Sequence, residues 1–305
     1  MSLLVVGSVA IDNVETPDSR RDELLGGSAT HFSFAAGFFS PVRLVGVVGE
    51  DWPEAHTDLL QSQGVCTQGL VQQEGGKTFR WTGRYLPNMN DRETLDVQLN
   101  VFGEFDPVVP ESYRDARYVF LANGVPAVQA KVLSQAPDRQ IVVADTMDLW
   151  INDHRTDLDS LLRDLDGLLL NDSEAKLLTG CENLVAAGRA VLEMGPQFVI
   201  IKKGEHGAMY LGRDSSGELH TFVLPAFPTA EVTDPTGAGD SFAGGMMGYL
   251  AEQDRVDAET LKRAMAYGTV VASFNVEGFG LDRMTQITRE QIEERLQQYR
   301  EMLSV

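Results

Sequence analysis

Residues 234–245 combine three small residues with one carboxylate at the predicted start of a helix. The segment reads DPTGAGDSFAGG, with Gly237, Ala238 and Gly239 directly before Asp240. Glycines leave room for a ligand, and the N–H groups at a helix start bind anions with the help of the helix dipole. Phosphoryl transfer needs such donors and a group that deprotonates the attacking hydroxyl, a task that suits Asp240. A simpler interpretation is that Asp240 only caps the helix.

Three more charged residues end predicted strands, where the ligands of open α/β sheets gather. Asp145 ends the run IVVAD, where it faces a ligand or forms a structural turn. Lys202 and Lys203 end the run FVIIKK. They either supply positive potential near phosphates or are solvated charges.

The elements that must position these residues alternate between short apolar runs and helical patterns, which is typical of a sheet covered by helices. The candidate strands are LLVVGSVAI, VRLVGVVG, ARYVFLAN, QIVVADT, LDGLLLN and QFVIIKKG. The candidate helices are GGSATHFSFAAGFF, PEAHTDLLQSQ, AVQAKVLSQA, SEAKLLTG, NLVAAGRAVLEMG, SFAGGMMGYLAEQ, AETLKRAMAYGTVVASFNV and ITREQIEERLQQYREML. Strands this apolar are buried on both faces, so the pattern predicts a mostly parallel sheet.

One region, 76–105, departs from this alternation. Its aromatic and β-branched residues alternate with polar ones, which predicts antiparallel strands with one solvent-exposed face. No repeat or flexible linker divides the chain. We therefore expect a single domain over 1–305 that carries a small β lid, with the lid strands within about 12–26 and 76–105.

The composition excludes several classes of protein. Of the 305 residues, 43% are hydrophobic and 23% are charged, which is typical of a soluble globular protein. A formal net charge of -20 argues against nucleic acid or an anionic membrane as a partner. The two cysteines, Cys66 and Cys181, lie far apart and favour neither a disulfide framework nor a zinc site. We expect a cytoplasmic protein in which local positive potential binds any anionic ligand.

Three motifs together resemble one family. The segment DPTGAGDSFAGG is similar to the C-terminal signature of the ribokinase-like (PfkB) carbohydrate and nucleoside kinases, and GGSATHFSFAAGFFSPVRLVGVVGEDWPE resembles their N-terminal glycine-pair signature. The residues NDSE at 171–174 resemble their N-x-x-E element. The resemblance implies a three-layer α/β/α fold with a mostly parallel central sheet and a small β-sheet lid. It also implies transfer of the γ-phosphoryl group of ATP to a hydroxymethyl group of a sugar.

The resemblance also implies roles for single residues in catalysis and nucleotide binding. Asp240 corresponds to the general base, and the turn at 237–239 to the anion hole. Asn171 and Glu174 match the element that holds Mg²⁺, through water, and the nucleotide phosphates. Their i, i+3 spacing fits one helix face, although Asn171 could simply cap that helix. The nucleotide-binding residues implied in addition are Lys203, Gly204 and Asn275.

Four further residues match positions that bind the phosphate acceptor. Asp12, Gly26 and Gly27 correspond to the acceptor-binding carboxylate and glycine pair, and a carboxylate that accepts two hydroxyl bonds is a suitable reader of a vicinal diol. A lone Asp12 at a strand end could equally be a turn residue. His31 stands where many members have asparagine, so it reads a sugar differently or is an ordinary buried histidine.

The sequence leaves the acceptor open. Sugars and nucleosides share this framework, and the lid residues Phe79, Arg80, Trp81 and Arg84 are candidate contacts. The aromatic ones could stack on a base or form a lid-to-lid homodimer interface. A sensor without catalytic activity and a structural partner protein remain alternatives, and K⁺ is a further candidate cofactor beside ATP and Mg²⁺.

Overall fold

The computed structural model describes residues 2–214 and 216–304, and its strands form two sheets. The strands are β1 (Leu3–Val6), β2 (Ala10–Glu15), β3 (Arg20–Gly26), β4 (Val42–Gly49), β5 (Val65–Gln73), β6 (Phe79–Tyr85), β7 (Arg92–Gln98), β8 (Tyr118–Leu121), β9 (Ile141–Asp145), β10 (Gly167–Asn171), β11 (Phe198–Lys202), β12 (Ala208–Arg213) and β13 (Leu219–Leu224).

Helices follow most strands of the larger sheet. They are α1 (Ser28–Ala36), α2 (Glu54–Ser62), α3 (Pro126–Ser134), α4 (Asp148–Asp153), α5 (Arg155–Leu162), α6 (Asp172–Thr179), α7 (Leu184–Glu193), α8 (Ala238–Gln253), α9 (Ala258–Asn275) and α10 (Arg289–Leu303). Short 3₁₀ turns lie at Asn100–Glu104, Glu111–Tyr113, Gly204–His206 and Met284–Gln286. Among these helices none is long and apolar enough to cross a membrane.

The larger sheet has nine strands in the order β13-β12-β11-β10-β9-β8-β1-β4-β5. Its pairs are parallel from β11 to β5, and the hairpin of β12 and β13 adds an antiparallel edge. Alternate residues of β1 belong to two separate cores, Leu3 to one and Leu4 to the other. Helices α1, α8, α9 and α10 cover the first core, and α3, α5, α6 and α7 the second. The predicted three-layer α/β/α fold is confirmed.

The smaller sheet is the predicted lid, with the strand order β3-β2-β6-β7. Two of its pairs are antiparallel, but β2 and β6 are parallel because they come from distant segments that no tight turn could join. Its strand β2 begins at Ala10, before the range expected for the lid. Val14, Leu24 and Tyr85 of the lid pack against Phe279 of the body, which attaches the small sheet over one end of the large one.

The first apolar run differs from its prediction as one buried strand. The chain forms β1 in the large sheet, leaves it at Gly7, and enters the lid as β2. A Cβ atom placed on Gly7 would lie 2.7 Å from the Cβ atom of Ala122, so the crossing point has no room for a side chain. One short segment therefore connects both sheets and carries Asp12 to the junction between them.

Candidate active site

Gly237 forms the turn before helix α8 in a left-handed conformation, with φ 74° and ψ 0°. A Cβ atom placed on it would lie 2.3 Å from the ring of His31, so the turn excludes a side chain by backbone conformation and by space. Asp240 lies in the first turn of the helix and is half-buried. The N-cap residue of this helix is Gly237 and no side chain caps it, so the structure does not show the helix cap that the simpler interpretation assigned to Asp240.

Asn275 of α9 lies fully buried beneath this turn. Its side-chain amide donates to the Thr236 carbonyl at 2.8 Å, and its oxygen accepts from the Ser241 hydroxyl at 2.9 Å. The same oxygen lies 3.3 Å from Nδ1 of His31. Asn275 therefore holds both sides of the turn in place, and its expected nucleotide contact stays a prediction.

His31 is almost completely buried between α1 and the α8 turn. Its Nε2 atom has no hydrogen-bond partner among the described residues. Burial lowers the pKa of His31, although the charges of Asp240 and Asp234 oppose this shift. The structure places His31 against Gly237, and acceptor binding by this side chain remains a prediction.

Asp240 shares its surroundings with a second carboxylate and a lysine. Burial raises the pKa of Asp240, while Lys202 at the end of β11 opposes the shift. The Lys202 Nζ atom lies 2.9 Å from where a Cβ atom of Gly239 would be, so this ammonium group lies directly at the turn. Asp145 at the end of β9 is 5% exposed, and its Oδ1 atom has no hydrogen-bond partner among the described residues. Burial and the charge of Asp240 raise its pKa well above the ordinary value.

Asp12 approaches the same site from the lid side. Gly26 lies opposite, and a Cβ atom placed on it would be 2.0 Å from a carboxylate oxygen of Asp12. The backbone N–H group of Gly27 donates to Asp12. Burial raises the pKa of Asp12 to about 7, helped by the charges of Asp234 and Asp240. The glycine pair thus provides the space and one donor for a buried carboxylate, and acceptor binding by these three residues stays a prediction.

Asn171 and Glu174 form a capping box at the start of α6. The Asn171 side chain accepts from the Glu174 N–H group at 2.7 Å, and the Glu174 carboxylate accepts from the Asn171 N–H group at 2.7 Å. The capping alternative for Asn171 is therefore what the structure shows. Burial raises the pKa of Glu174, whereas Lys202 and Arg92 oppose this, which places the carboxylate near both cations. Its contact with Mg²⁺ through water stays a prediction.

A cavity of about 460 Å³ opens beside the turn. Lys202, Gly204, Ala238 and Gly239 line it, together with apolar residues such as Phe227, Phe242, Ala272 and Val276. The lid reaches it as well, because residues 88–90 of the β6–β7 turn line the same cavity. Gly204 is among the lining residues and Lys203 is not, and nucleotide binding by either residue stays a prediction.

The lid arginines named from the sequence form ion pairs within the protein, and their contact with the acceptor stays a prediction. Arg80 pairs with Glu23 at 2.6 Å, and Arg84 pairs with Glu15 at 2.8 Å. Arg92, which sequence reasoning missed, is near the active-site carboxylates. Phe79 and Trp81 are also engaged within the protein: Phe79 stacks on Phe102, and the guanidinium of Arg92 lies over the Trp81 ring. Strand alternation could not identify Arg92, because every residue of β7 is exposed.

Comparisons with known proteins agree with this geometry. The model of the pfkB family carbohydrate kinases matches residues 2–288. A cytidine kinase from Thermococcus kodakarensis is 30% identical over 255 residues, which cover 82% of this chain and 88% of that protein. A nucleoside kinase from Methanothermobacter thermautotrophicus is 28% identical over 301 residues, covering 91% and 90%.

A solved structure of similar fold is a putative ribokinase II from E. coli in complex with ATP and Mg²⁺. It has a TM-score of 0.79 and 20% identity and covers 97% of this chain and 99% of that one. The two curated relatives and this structure are all named as sugar or nucleoside kinases. With a family model that spans nearly its whole length, this chain belongs to the pfkB family of carbohydrate kinases.

Proposed function

We propose that this protein transfers the γ-phosphoryl group of ATP to a hydroxymethyl group of a sugar. The observation that carries the proposal is the position of Asp240, a half-buried carboxylate next to a glycine turn that opens onto the cavity. The turn and helix start provide N–H donors for a transferred phosphoryl group. The carboxylate is within the same helical turn, where it can orient the attacking hydroxyl.

In this reaction the acceptor hydroxyl loses its proton to Asp240 while its oxygen forms a bond to the γ-phosphorus. The bond between that phosphorus and the ADP oxygen breaks, and ADP leaves. Burial raises the pKa of Asp240, which makes its carboxylate a stronger proton acceptor than an exposed aspartate. The charge of Lys202 lowers the pKa of Asp240 and so favours the ionised carboxylate, whereas burial favours the neutral acid.

The carboxylates of Asp145 and Glu174, which lie near Lys202, fit Mg²⁺, which prefers oxygen ligands. Glu174 and Asp145 would hold it, directly or through water, since the Asp145 Oδ1 atom is buried without a partner. When bound, Mg²⁺ neutralises charge on the β- and γ-phosphates. A protein with a formal net charge of -20 has a particular need for such a cation. Turnover should therefore stop in excess chelator.

A nucleoside is the second candidate acceptor. Two relatives that align with most of this chain are named cytidine kinase and nucleoside kinase. A nucleoside would present its ribose hydroxyls to the buried carboxyl group of Asp12. Both cysteines are free, which fits the reducing cytoplasm proposed for this enzyme. A panel of sugars and nucleosides, assayed by ADP release, distinguishes the two acceptor classes.

The Asp240→Asn variant tests the catalytic assignment. Asparagine has the same size and caps a helix as well as aspartate, but it cannot accept the proton. We expect the transfer rate to fall by about 10² to 10⁴, with ATP affinity and melting temperature nearly unchanged. Asp157→Asn is the matched control, because Asp157 also lies in a first helical turn, that of α5, and is exposed. A variant that retains more than about a tenth of the turnover would contradict the general-base role.

A further inference from the structure

The β6–β7 hairpin of the lid contacts the body on both sides of the cavity. On one side the Thr236 hydroxyl, one residue before the glycine turn, donates to the Tyr85 hydroxyl at 3.2 Å. On the other side the Asn90 side-chain amide donates to a carboxylate oxygen of Glu205 at 3.2 Å. Residues 88–90 of the hairpin line the cavity. The hairpin is therefore part of the wall of the cavity that would take the nucleotide.

The turn of this hairpin is well ordered by its own hydrogen bonds. The Asn88 side-chain oxygen accepts from the N–H groups of Asn90 and Asp91, at 3.2 and 3.0 Å. The Leu86 N–H group donates to the Asp91 carbonyl at 2.9 Å and closes the turn. Arg92 follows immediately as the first residue of β7. These hydrogen bonds set the direction in which the chain enters β7 at Arg92.

Arg92 differs from the other two lid arginines described above. Arg80 and Arg84 each form an ion pair with a carboxylate, whereas Arg92 forms none within 4 Å among the described residues. Its neighbours are the Tyr85 hydroxyl, with which it hydrogen-bonds, and the ring of Trp81 at 5.7 Å. It is solvent-exposed, yet Glu174 and Asp240 interact with it from the body. An arginine that faces several carboxylates but pairs with none is available to an anionic ligand.

Building on the proposed function, we propose that Arg92 binds the terminal phosphates of the nucleotide and so makes the lid hairpin a nucleotide-binding element. The glycine turn provides neutral N–H donors from one side, and Arg92 provides a planar cation from the lid side. Lys202, which lines the cavity, adds a cation from the body. The charge of a γ-phosphate would thus be shared between the body and the lid.

The test compares Arg92→Gln with Arg84→Gln, a change in the same lid at an exposed arginine paired with Glu15. Calorimetry measures the affinities of both variants and the wild type for ATP, ADP and AMP with Mg²⁺. For Arg92→Gln we expect ATP affinity or the transfer rate to fall at least about tenfold, as for the loss of one charged hydrogen bond. AMP affinity should change less than about twofold, because AMP lacks the terminal phosphates. Arg92→Lys should recover part of the loss.

Three outcomes would overturn this role. The first is unchanged ATP affinity together with an unchanged transfer rate in Arg92→Gln. The second is a loss confined to the KM of the acceptor, which would make Arg92 an acceptor-binding residue. The third is an equal loss in Arg84→Gln, which would indicate a general effect of lid charge. A wild-type protein that neither binds ATP nor releases ADP would instead contradict the proposed function, so the two failures are distinguishable.

Discussion

Gly237 occupies a position where backbone conformation and space both require glycine. Its φ of 74° lies in the left-handed region, and the His31 ring fills the space of a Cβ atom. His31 is held in turn by Asn275, which also bonds both ends of the turn. The anion-binding turn is thus supported by a buried polar group from another helix.

The Gly237→Ala variant tests this dependence, with Gly75→Ala as its control. Gly75 has nearly the same φ, 70°, but nothing lies within 4 Å of an added Cβ atom. Both variants should lose about 1–2 kcal/mol of unfolding free energy from backbone strain. Gly237→Ala should lose about 1–3 kcal/mol more from overpacking, and about 10²-fold in transfer rate from misplaced donors. Chemical denaturation and ADP release measure these effects, and equal losses in the two variants would contradict the role of His31.

Among the elements, helix α6 shows how one pair of residues can serve both structure and chemistry. The sequence left capping and ligand binding open as alternatives for Asn171. The capping box of the structure is compatible with both roles. One Glu174 oxygen accepts the backbone bond, while the charges of Lys202 and Arg92 lie near the carboxylate. A capping box therefore fixes the direction of a candidate Mg²⁺-binding side chain.

Asn171→Ala should cost about 1 kcal/mol of unfolding free energy, because it removes a side-chain cap. It should also raise the Mg²⁺ concentration needed for half-maximal turnover, with acceptor affinity nearly unchanged. Asn183→Ala is the control, since Asn183 caps α7 by accepting from the N–H groups of Val185 and Ala186. The control should lose comparable stability without any change in Mg²⁺ dependence. A similar Mg²⁺ effect in both variants would assign the effect to helix stability alone.

The sequence predicts the buried strands of this fold better than its edges. Continuous apolar runs identified β4 and β8 to β11, because strands buried on both faces need no polar residues. The same rule missed β5, in which only Val65 and Gly69 are buried, and the β12–β13 hairpin at the opposite edge. It also missed α4 and α5. In the lid, the side-chain direction of Arg92 follows from the β6–β7 turn, which a local pattern does not determine.

At the scale of the whole molecule, the protein concentrates buried carboxylates at one site while its net charge is already -20. Burial is the leading cause that raises the pKa of Asp12, Asp145, Asp234 and Asp240. The motifs identified Asp12 and Asp240 directly. That all four carboxylates share one environment follows only from the way in which the two sheets meet. Burying these carboxylates lowers the free energy of unfolding of the ligand-free protein. The site therefore suits a ligand that brings cations with it.

This concentration of acids predicts how stability depends on pH. The pKa of Asp12 is about 7 in the folded protein against an ordinary 3.8, so between these values the folded state binds more protons than the unfolded state. The contribution of Asp12 to the free energy of unfolding is therefore greatest below about pH 4 and is lost as the pH rises to about 7. Asp12→Asn should flatten this decline and raise the melting temperature at pH 8, although it weakens acceptor binding.

Melting curves at pH 5 and pH 8 measure the effect. Asp115→Asn is the control, because an ion pair with Arg43 lowers the pKa of that exposed carboxylate. It should leave the difference between the two melting temperatures unchanged. A larger decline in Asp12→Asn than in the wild type would show that Asp12 is not protonated in the folded protein near neutral pH.

The parallel pairing of β2 with β6 has a consequence for the order of folding. Ala10 pairs with Phe79, and the chain between them forms β3, α1, β4, α2 and β5. Contacts so distant in sequence gain free energy only after the intervening loop has closed, so the lid should assemble last. Its amide hydrogens should then exchange with solvent faster than those of β1 and β8, through openings smaller than global unfolding. The lid, the smaller of the two sheets, would then be the first part of the molecule to unfold.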